Sequence, residues 1–135
     1  MDLNVPRPQP TPTSQRFWDA LRQHRLEMQH CTPCDAYFFY PRAACPRCWS
    51  RDFTWRGLSG EGVLHTFTVT RVPTAPHFRA EVPQLIAVVE LPEGPRLTST
   101  LVGIEPEAVE VGMRVVPVFD DLDDVPLTLL RYAPG

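Results

Sequence analysis

The sequence predicts a mainly β chain: an N-terminal helix and a cysteine-clasped metal ribbon, followed by a small five-stranded barrel. Three observations lead there. Cys31-Thr-Pro-Cys34 and Cys45-Pro-Arg-Cys48 are two Cys-x-x-Cys knuckles separated by ten residues, a spacing that can bring four thiolates to the corners of a tetrahedron. Beyond Gly60, five short apolar runs of strand character are divided by turn residues. A brief step at Pro106 interrupts them before the fourth run.

All four cysteines of the protein lie in the two knuckles. A four-thiolate site is coordinatively closed, so its metal is structural rather than catalytic. Zinc is favoured, and iron is held by the same donor set. Disulfides or reduced core thiols are the alternatives, and they suit an exported chain better. The opening stretch MDLNVPRPQPTPTS has no apolar run of signal-peptide length, and no later run approaches a membrane span. The expectation is a cytoplasmic, reducing compartment, where paired cysteines mean metal more often than disulfide. Asp35 and Trp49 follow the knuckles, at positions that often need a left-handed backbone. Asp tolerates that conformation and Trp does not, so the second knuckle is expected to be strained or shaped differently.

The 135 residues divide into a Pro-rich tail (1–14), a helix and ribbon (15–57) and a barrel (58–135). A formal charge of −3 gives no general attraction to nucleic acid or anionic membrane. The charge is uneven along the chain. Between Cys31 and Gly60, Arg42, Arg47, Arg51 and Arg56 outweigh Asp35 and Asp52, a local +2. Between Ile104 and Asp124, seven acids face only Arg114, a local −6. Every cationic side chain is arginine, whose fork suits carboxylates and phosphates.

Taken in order, Ser14 stands where an N-cap belongs and opens a helix from Gln15 to about His24. Phe17 and Leu21 lie one turn apart with Trp18 beside them. So short a helix does not stand alone, and its aromatic pair docks on the ribbon by default, or else on another chain. Leu26, Met28 and His30 alternate into the first knuckle as a strand does, and Tyr37 to Tyr40 return from it until Pro41. Arg51 to Trp55 form a short aromatic strand, and Gly57 to Gly62 a hinge.

In the barrel, Val63 to Thr70 alternates with period two, placing Val63, His65, Phe67 and Val69 on one face and Leu64 with three threonines on the other. Gln84 to Leu91 is a more continuous apolar strand, turned back at Pro92-Glu-Gly-Pro95. Leu97 to Val102 is the third. After a helical step at Pro106 to Val109, Met113 to Phe119 and Leu127 to Tyr132 complete the set. Pro117 calls for an edge or bulged position, which an incompletely closed barrel supplies. Five strands with an interruption before the fourth are what an OB-fold requires, and five strands alone also fit an SH3-like barrel. The longest loop, Arg71 to Pro83, carries Arg71, His77, Phe78 and Arg79. These groups can grip a phosphate and stack on a ring; the plain alternative is a surface loop with Phe78 folded back on the barrel.

Phe17-Trp18, the paired knuckles, Gly60-Glu-Gly62-Val63 leading into Thr66-Phe67-Thr68-Val69, Gly94-Pro95-Arg96-Leu97, Val111-Gly112-Met113 and Phe119-Asp120-Asp121 follow one another from Arg16 to Ala133. Their joint order resembles a family of small acyl-CoA-associated proteins. Asp35 and Trp49 stand where that family usually has glycine. The resemblance implies a helix, a rubredoxin-like zinc ribbon and an OB-fold, with Cys31, Cys34, Cys45 and Cys48 as ligands. It also implies a non-catalytic accessory subunit, in a hetero-oligomer with a thiolase-like enzyme: a thiolase, a lipid-transfer-protein-like aldolase or an acyltransferase. The setting would be lipid, steroid or polyketide-type metabolism, with the barrel helping to hold acyl-CoA. Phe17, Trp18, Arg71, His77, Phe78 and Arg79 are then the expected partner or CoA contacts.

The residues agree with a non-catalytic role. Thiolase chemistry needs a cysteine nucleophile, and every cysteine here is committed to the metal. His24, His30, His65 and His77 fall on separate elements without a serine and carboxylate set. The competing class, a nucleic-acid-binding ribbon and OB protein, is opposed by the acidic total and the −6 region, which repel phosphate. No nucleic-acid or membrane partner is expected.

Overall fold

Helix α1 covers Gln15–Arg22 and buries Phe17, Ala20 and Leu21. It ends two residues earlier than its sequence suggests, because His24 turns left-handed at φ 57°. Ser14 sits at the N-cap position without making a side-chain cap. Its hydroxyl instead accepts the backbone N–H of Thr11 at 2.9 Å, which corrects the expected capping bond. The computed structural model describes residues 6–73 and 75–135. Residues 1–5 of the expected tail, and Thr74 of the long loop, lie outside the described residues. The described part of the tail touches the barrel, where Arg7 meets Asp124 at 3.4 Å.

Strands β1 (Leu26–Cys31), β2 (Ala36–Phe38) and β3 (Phe53–Leu58) form an antiparallel sheet in the order β2-β1-β3. β1 is buried along its whole length rather than on alternate residues. Leu26 and Met28 enter the main core, while the positions between them are polar groups buried with their partners. Glu27 is held by Arg16 and Arg25, each at 3.0 Å. β3 runs on through Gly57 and Leu58, which pair with Glu27 and Leu26, so the expected hinge shrinks to residues 59–61.

The other five strands close into a barrel in the order β4-β5-β6-β8-β7: β4 (Gly62–Thr70), β5 (Gln84–Glu90), β6 (Arg96–Leu101), β7 (Arg114–Asp121) and β8 (Thr128–Pro134). Closure replaces the incompletely closed barrel that Pro117 suggests. Its ladders are uneven. β4 meets β7 only through Gly62 and Val63, and β6 meets β8, in parallel, only at Leu101 and Tyr132. Pro117 lies past the end of the short β4–β7 ladder, where its missing N–H interrupts no pairing with β4.

A bulge reorganises β4. Leu64 opposes Val89 and Thr66 opposes Val88, leaving His65 as the extra residue. Because side chains alternate with period two, one extra residue exchanges the faces. Leu64 is therefore buried before the bulge, and Phe67 and Val69 pack on the core after it, while Val63 and His65 are exposed. The unbroken face Val63-His65-Phe67-Val69 is corrected accordingly. β5 buries alternate residues, Leu85, Ala87 and Val89, instead of a continuous run.

Phe17 and Leu21 of α1 and Leu26 and Met28 of β1 share one core cluster with Leu64, Leu85, Val89, Leu101, Val115 and Tyr132 of the barrel. Each such large side chain contributes about 1.5–3 kcal/mol on burial, so this layer locks the base of the ribbon to the barrel. The helix and the base of the ribbon thus share this core with the barrel. A second, small cluster of Cys31, Phe38 and Cys45, with Phe53 against it, surrounds the knuckles.

Candidate metal centre and adjoining clefts

The knuckles face each other because the arm between them is pinned to β1. The buried Gln29 amide donates to the Arg42 carbonyl at 2.7 Å and accepts the Arg42 N–H at 2.8 Å. Each knuckle closes with a backbone bond: Asp35 N–H to the Thr32 carbonyl at 3.3 Å, and Trp49 N–H to the Cys45 carbonyl at 2.9 Å. Asp35 at φ 50° and Trp49 at φ 65° are both left-handed. The second knuckle therefore keeps the left-handed turn of the first, closes one residue further back, and carries strain, on the order of 1–3 kcal/mol for a bulky residue held there.

All four Sγ atoms lie within 4.8 Å of one another. Cys31 and Cys48 are 3.6 Å apart, and Cys34 and Cys45 are 4.0 Å apart. A tetrahedron with metal–sulfur bonds of about 2.3 Å has edges of about 3.8 Å, so the donors fit a tetrathiolate ion. The cysteines are free. Burial pushes the Cys31 thiol up, and hydrogen bonding to Cys48 with burial takes Cys34 up to about 12. The backbone N–H groups of Cys48 and Arg47 draw Cys45 down to about 7, the kind of N–H···S support that stabilises a bound thiolate. His30 is not among the converging donors. It is buried with Nε2 at 3.0 Å from the Asp35 carboxylate.

β6 and β8 part below their single pair, and the Ser99 hydroxyl bridges the gap to the Leu130 carbonyl at 2.7 Å. Beside the gap lies a cleft of about 420 Å³, lined by α1, Phe39, Tyr40 and residues of β5, β6 and β8. A second cleft of about 510 Å³ adjoins it, and both include Gln84, Thr100 and Arg131. Arg131 is held by Asp120 at 2.8 Å and Thr100 at 2.9 Å. The second cleft also includes Glu81 and Glu105, which disfavour a phosphate there.

Of the expected contact residues, Phe17 and Trp18 both line the first cleft. Phe17 is buried, with its ring 5.5 Å from that of Phe39, and is correspondingly unavailable as a protruding anchor. Trp18 is half-buried and donates its indole N–H to the Tyr40 hydroxyl at 3.0 Å. Residues Pro76–Glu81 form a 3₁₀ turn in the long loop. His77 and Phe78 are half-buried there and Arg71 and Arg79 are exposed; none of the four lines either cleft. Tyr40, Gln84 and Arg131 are among the cleft residues that sequence reasoning missed. Arg131 interrupts the apolar run of β8, which was the one available signal.

A helix-led cysteine ribbon joined to a closed five-stranded barrel defines a ribbon-plus-OB protein. Residues 18–54 match the ChsH2 rubredoxin-like zinc ribbon domain, and residues 55–120 match the ChsH2 C-terminal OB-fold domain. The chain belongs to this ChsH2/DUF35 family. It is 38% identical over 120 residues to a DUF35 domain-containing scaffold protein of Methanocaldococcus jannaschii, covering 84% of each chain. It is 40% identical over 121 residues to a probable enoyl-CoA hydratase alpha subunit of Thermomonospora curvata. That match covers 88% of this chain and 37% of the relative, so the chain spans just over a third of that protein's length. Among solved structures, a chain of the Ltp2-ChsH2(DUF35) aldolase superposes with a TM-score of 0.80 at 36% identity, covering 95% of this chain and 98% of that one. Among the described residues, no helix is long and apolar enough to cross a membrane.

Proposed function

We propose that this chain is a scaffold subunit that binds a thiolase-like enzyme and has no turnover of its own. The observation that carries the reading is the near full-length match, at 36% identity, to a chain of an aldolase named for Ltp2 together with ChsH2(DUF35). The hydratase name belongs to a relative of which this chain spans 37%, so it transfers no activity here. The side chains support a non-catalytic role. Cys31, Cys34, Cys45 and Cys48 converge on one point as ligands for zinc, iron being the other ion the donor set accepts. The metal supplies a structural clasp. His24, Asp121 and Thr128 do come together, but the Thr128 hydroxyl donates to Asp121 rather than to the imidazole, so no base activates it.

Contact with acyl-CoA is the finer part of the proposal. The cleft beside α1 has the apolar aromatic wall that a pantetheine arm needs. The CoA phosphates would fall to the exposed Arg71 and Arg79, with His77 and Phe78 near them in sequence, and Trp18 would meet the partner. Lipid or steroid acyl-CoA metabolism in a cytoplasmic, reducing setting fits free thiols and these contacts.

The test is to purify the native complex through a tag on this chain, identify the enzyme, and assay that enzyme with and without the chain. A thiolase-like enzyme whose stability or turnover depends on the chain is the expected result. Full activity of the enzyme alone, or thiolytic, hydrolytic or retro-aldol turnover by this chain alone, would overturn the reading.

A further inference from the structure

Trp49 is 81% exposed, the highest value among the exposed large apolar side chains, and its backbone is left-handed at φ 65°. The metal clasp requires neither its bulk nor its ring. The knuckle uses only the Trp49 N–H, which donates to the Cys45 carbonyl, and glycine would supply that bond without strain. A bulky side chain kept in a strained conformation and turned to solvent points to a task for the side chain itself.

Its surroundings indicate the kind of partner. Pro46, Arg47, Cys48 and Trp49 are all exposed in succession, as is Arg51. Arg7, Arg16, Arg25, Arg96, Arg114 and Arg131 each meet a carboxylate. Among the described residues, Arg47 and Arg51 meet none; Arg22, Arg42, Arg56, Arg71 and Arg79 share that state, but Arg47 and Arg51 are the pair that brackets Trp49, two residues away on either side. Behind them β3 is an edge strand, paired on one side only with β1, so its outer backbone groups are open to a neighbouring chain.

We propose that this tip of the ribbon docks on an acidic protein surface, with the Trp49 indole seated in an apolar slot and Arg47 and Arg51 paired to carboxylates around it. The proposal deepens the scaffold reading and rests on it for the partner, the thiolase-like enzyme. Tryptophan and arginine are the side chains that anchor interfaces, the indole through its buried area and the guanidinium through its fork. A second copy of this chain is the weaker candidate: ribbon tip to the acidic stretch 104–124 is a heterologous contact, rarer between identical chains than a two-fold one. Nucleic acid is weaker still, since Glu105, Glu107 and Glu110 are exposed on the same chain.

The experiment uses the enzyme recovered with the wild-type chain and compares wild type, Trp49→Gly and the double variant Arg47→Glu, Arg51→Glu. Affinity is read as Kd at several salt concentrations, alongside metal content and the melting temperature of the free chain. Trp49→Gly should keep its metal, melt no lower than wild type, and bind the enzyme at least tenfold more weakly. The double variant should bind more weakly and lose most of the salt dependence. Undiminished enzyme binding by Trp49→Gly overturns this proposal and leaves the scaffold reading standing. A wild-type chain that recruits no thiolase-like enzyme ends both. Self-association or a low-salt gel shift abolished by Trp49→Gly, with enzyme binding unchanged, assigns the tip to those partners and overturns the proposal.

Discussion

Tyr132 donates its hydroxyl to the Gly60 carbonyl across 2.6 Å in the buried interior. The bond ties the last barrel strand to the short link between ribbon and barrel. Gly60 is itself buried and left-handed at φ 78°, and a Cβ there would stand 3.1 Å from Pro117 Cγ. The link therefore packs tightly against the paired residues Pro117 of β7 and Tyr132 of β8, where little room remains.

Tyr132→Phe leaves the Gly60 carbonyl without its partner while preserving the ring. It should cost about 1–3 kcal/mol, read as a lower denaturation midpoint at unchanged slope. Burial pushes the Tyr132 phenol well above its ordinary value of 10. The unfolded chain then loses this proton first as pH rises, so stability that is intact below pH 10 falls as pH climbs toward the folded value. The phenylalanine variant should lack that part of the alkaline loss.

Asp121 joins α1 to the barrel. It accepts hydrogen bonds from Thr128 at 2.5 Å and from His24 at 2.9 Å, and the His24 ring stacks on Phe119 at 5.2 Å. The Thr128 bond first, and His24 second, hold its carboxyl below the ordinary 3.8. Its contribution is therefore present above pH 3.8 and is lost as pH falls through the lower folded value. Asp121→Asn should be less stable than wild type at neutral pH and lose less on acidification, as followed by circular dichroism across an acid titration.

Gly62 and Gly57 make a matched pair. A methyl at Gly62 would stand 2.5 Å from the Glu90 carbonyl oxygen and 2.8 Å from a Val89 methyl, whereas at Gly57 nothing lies within 4 Å. Gly62→Ala should destabilise by about 1–3 kcal/mol, since the obstacle includes backbone. Gly57→Ala should be neutral or stabilise by up to about 1 kcal/mol. Equal effects in urea melts would show that the packing around β4 and β5 differs from the one described.

Purified chain should carry one zinc or iron ion held by the four converging thiols, and Cys34→Ser or Cys45→Ser should lose it. Chelation should melt the cluster of Cys31, Phe38 and Cys45 but leave most of the β signal. The main core, from Phe17 to Tyr132, does not include that cluster. Elemental analysis and far-ultraviolet circular dichroism check both parts. A well-folded chain without metal would end the tetrathiolate assignment.

What the sequence determined by itself was local chemistry and its order. Paired cysteines at fixed spacing name the four thiolate donors, so the clasp was readable, as was the conflict at Trp49 between a left-handed turn and a bulky side chain. Five strand-like runs and their turns were readable for the same reason, and the joint order of their motifs pointed to the family. The tertiary structure alone decided everything that depends on a distant partner. The His65 bulge reverses the faces of β4 only because β5 sets the register opposite it. Ser14 turns to Thr11 instead of capping, Gln29 is spent on the arm at Arg42, and the helix shares its core with the barrel. The clefts exist because β6 and β8 meet at one pair and then part. Periodicity reports which residues can face the same way; which of those faces is covered is set by strands far apart in the chain, whose registers no local pattern records.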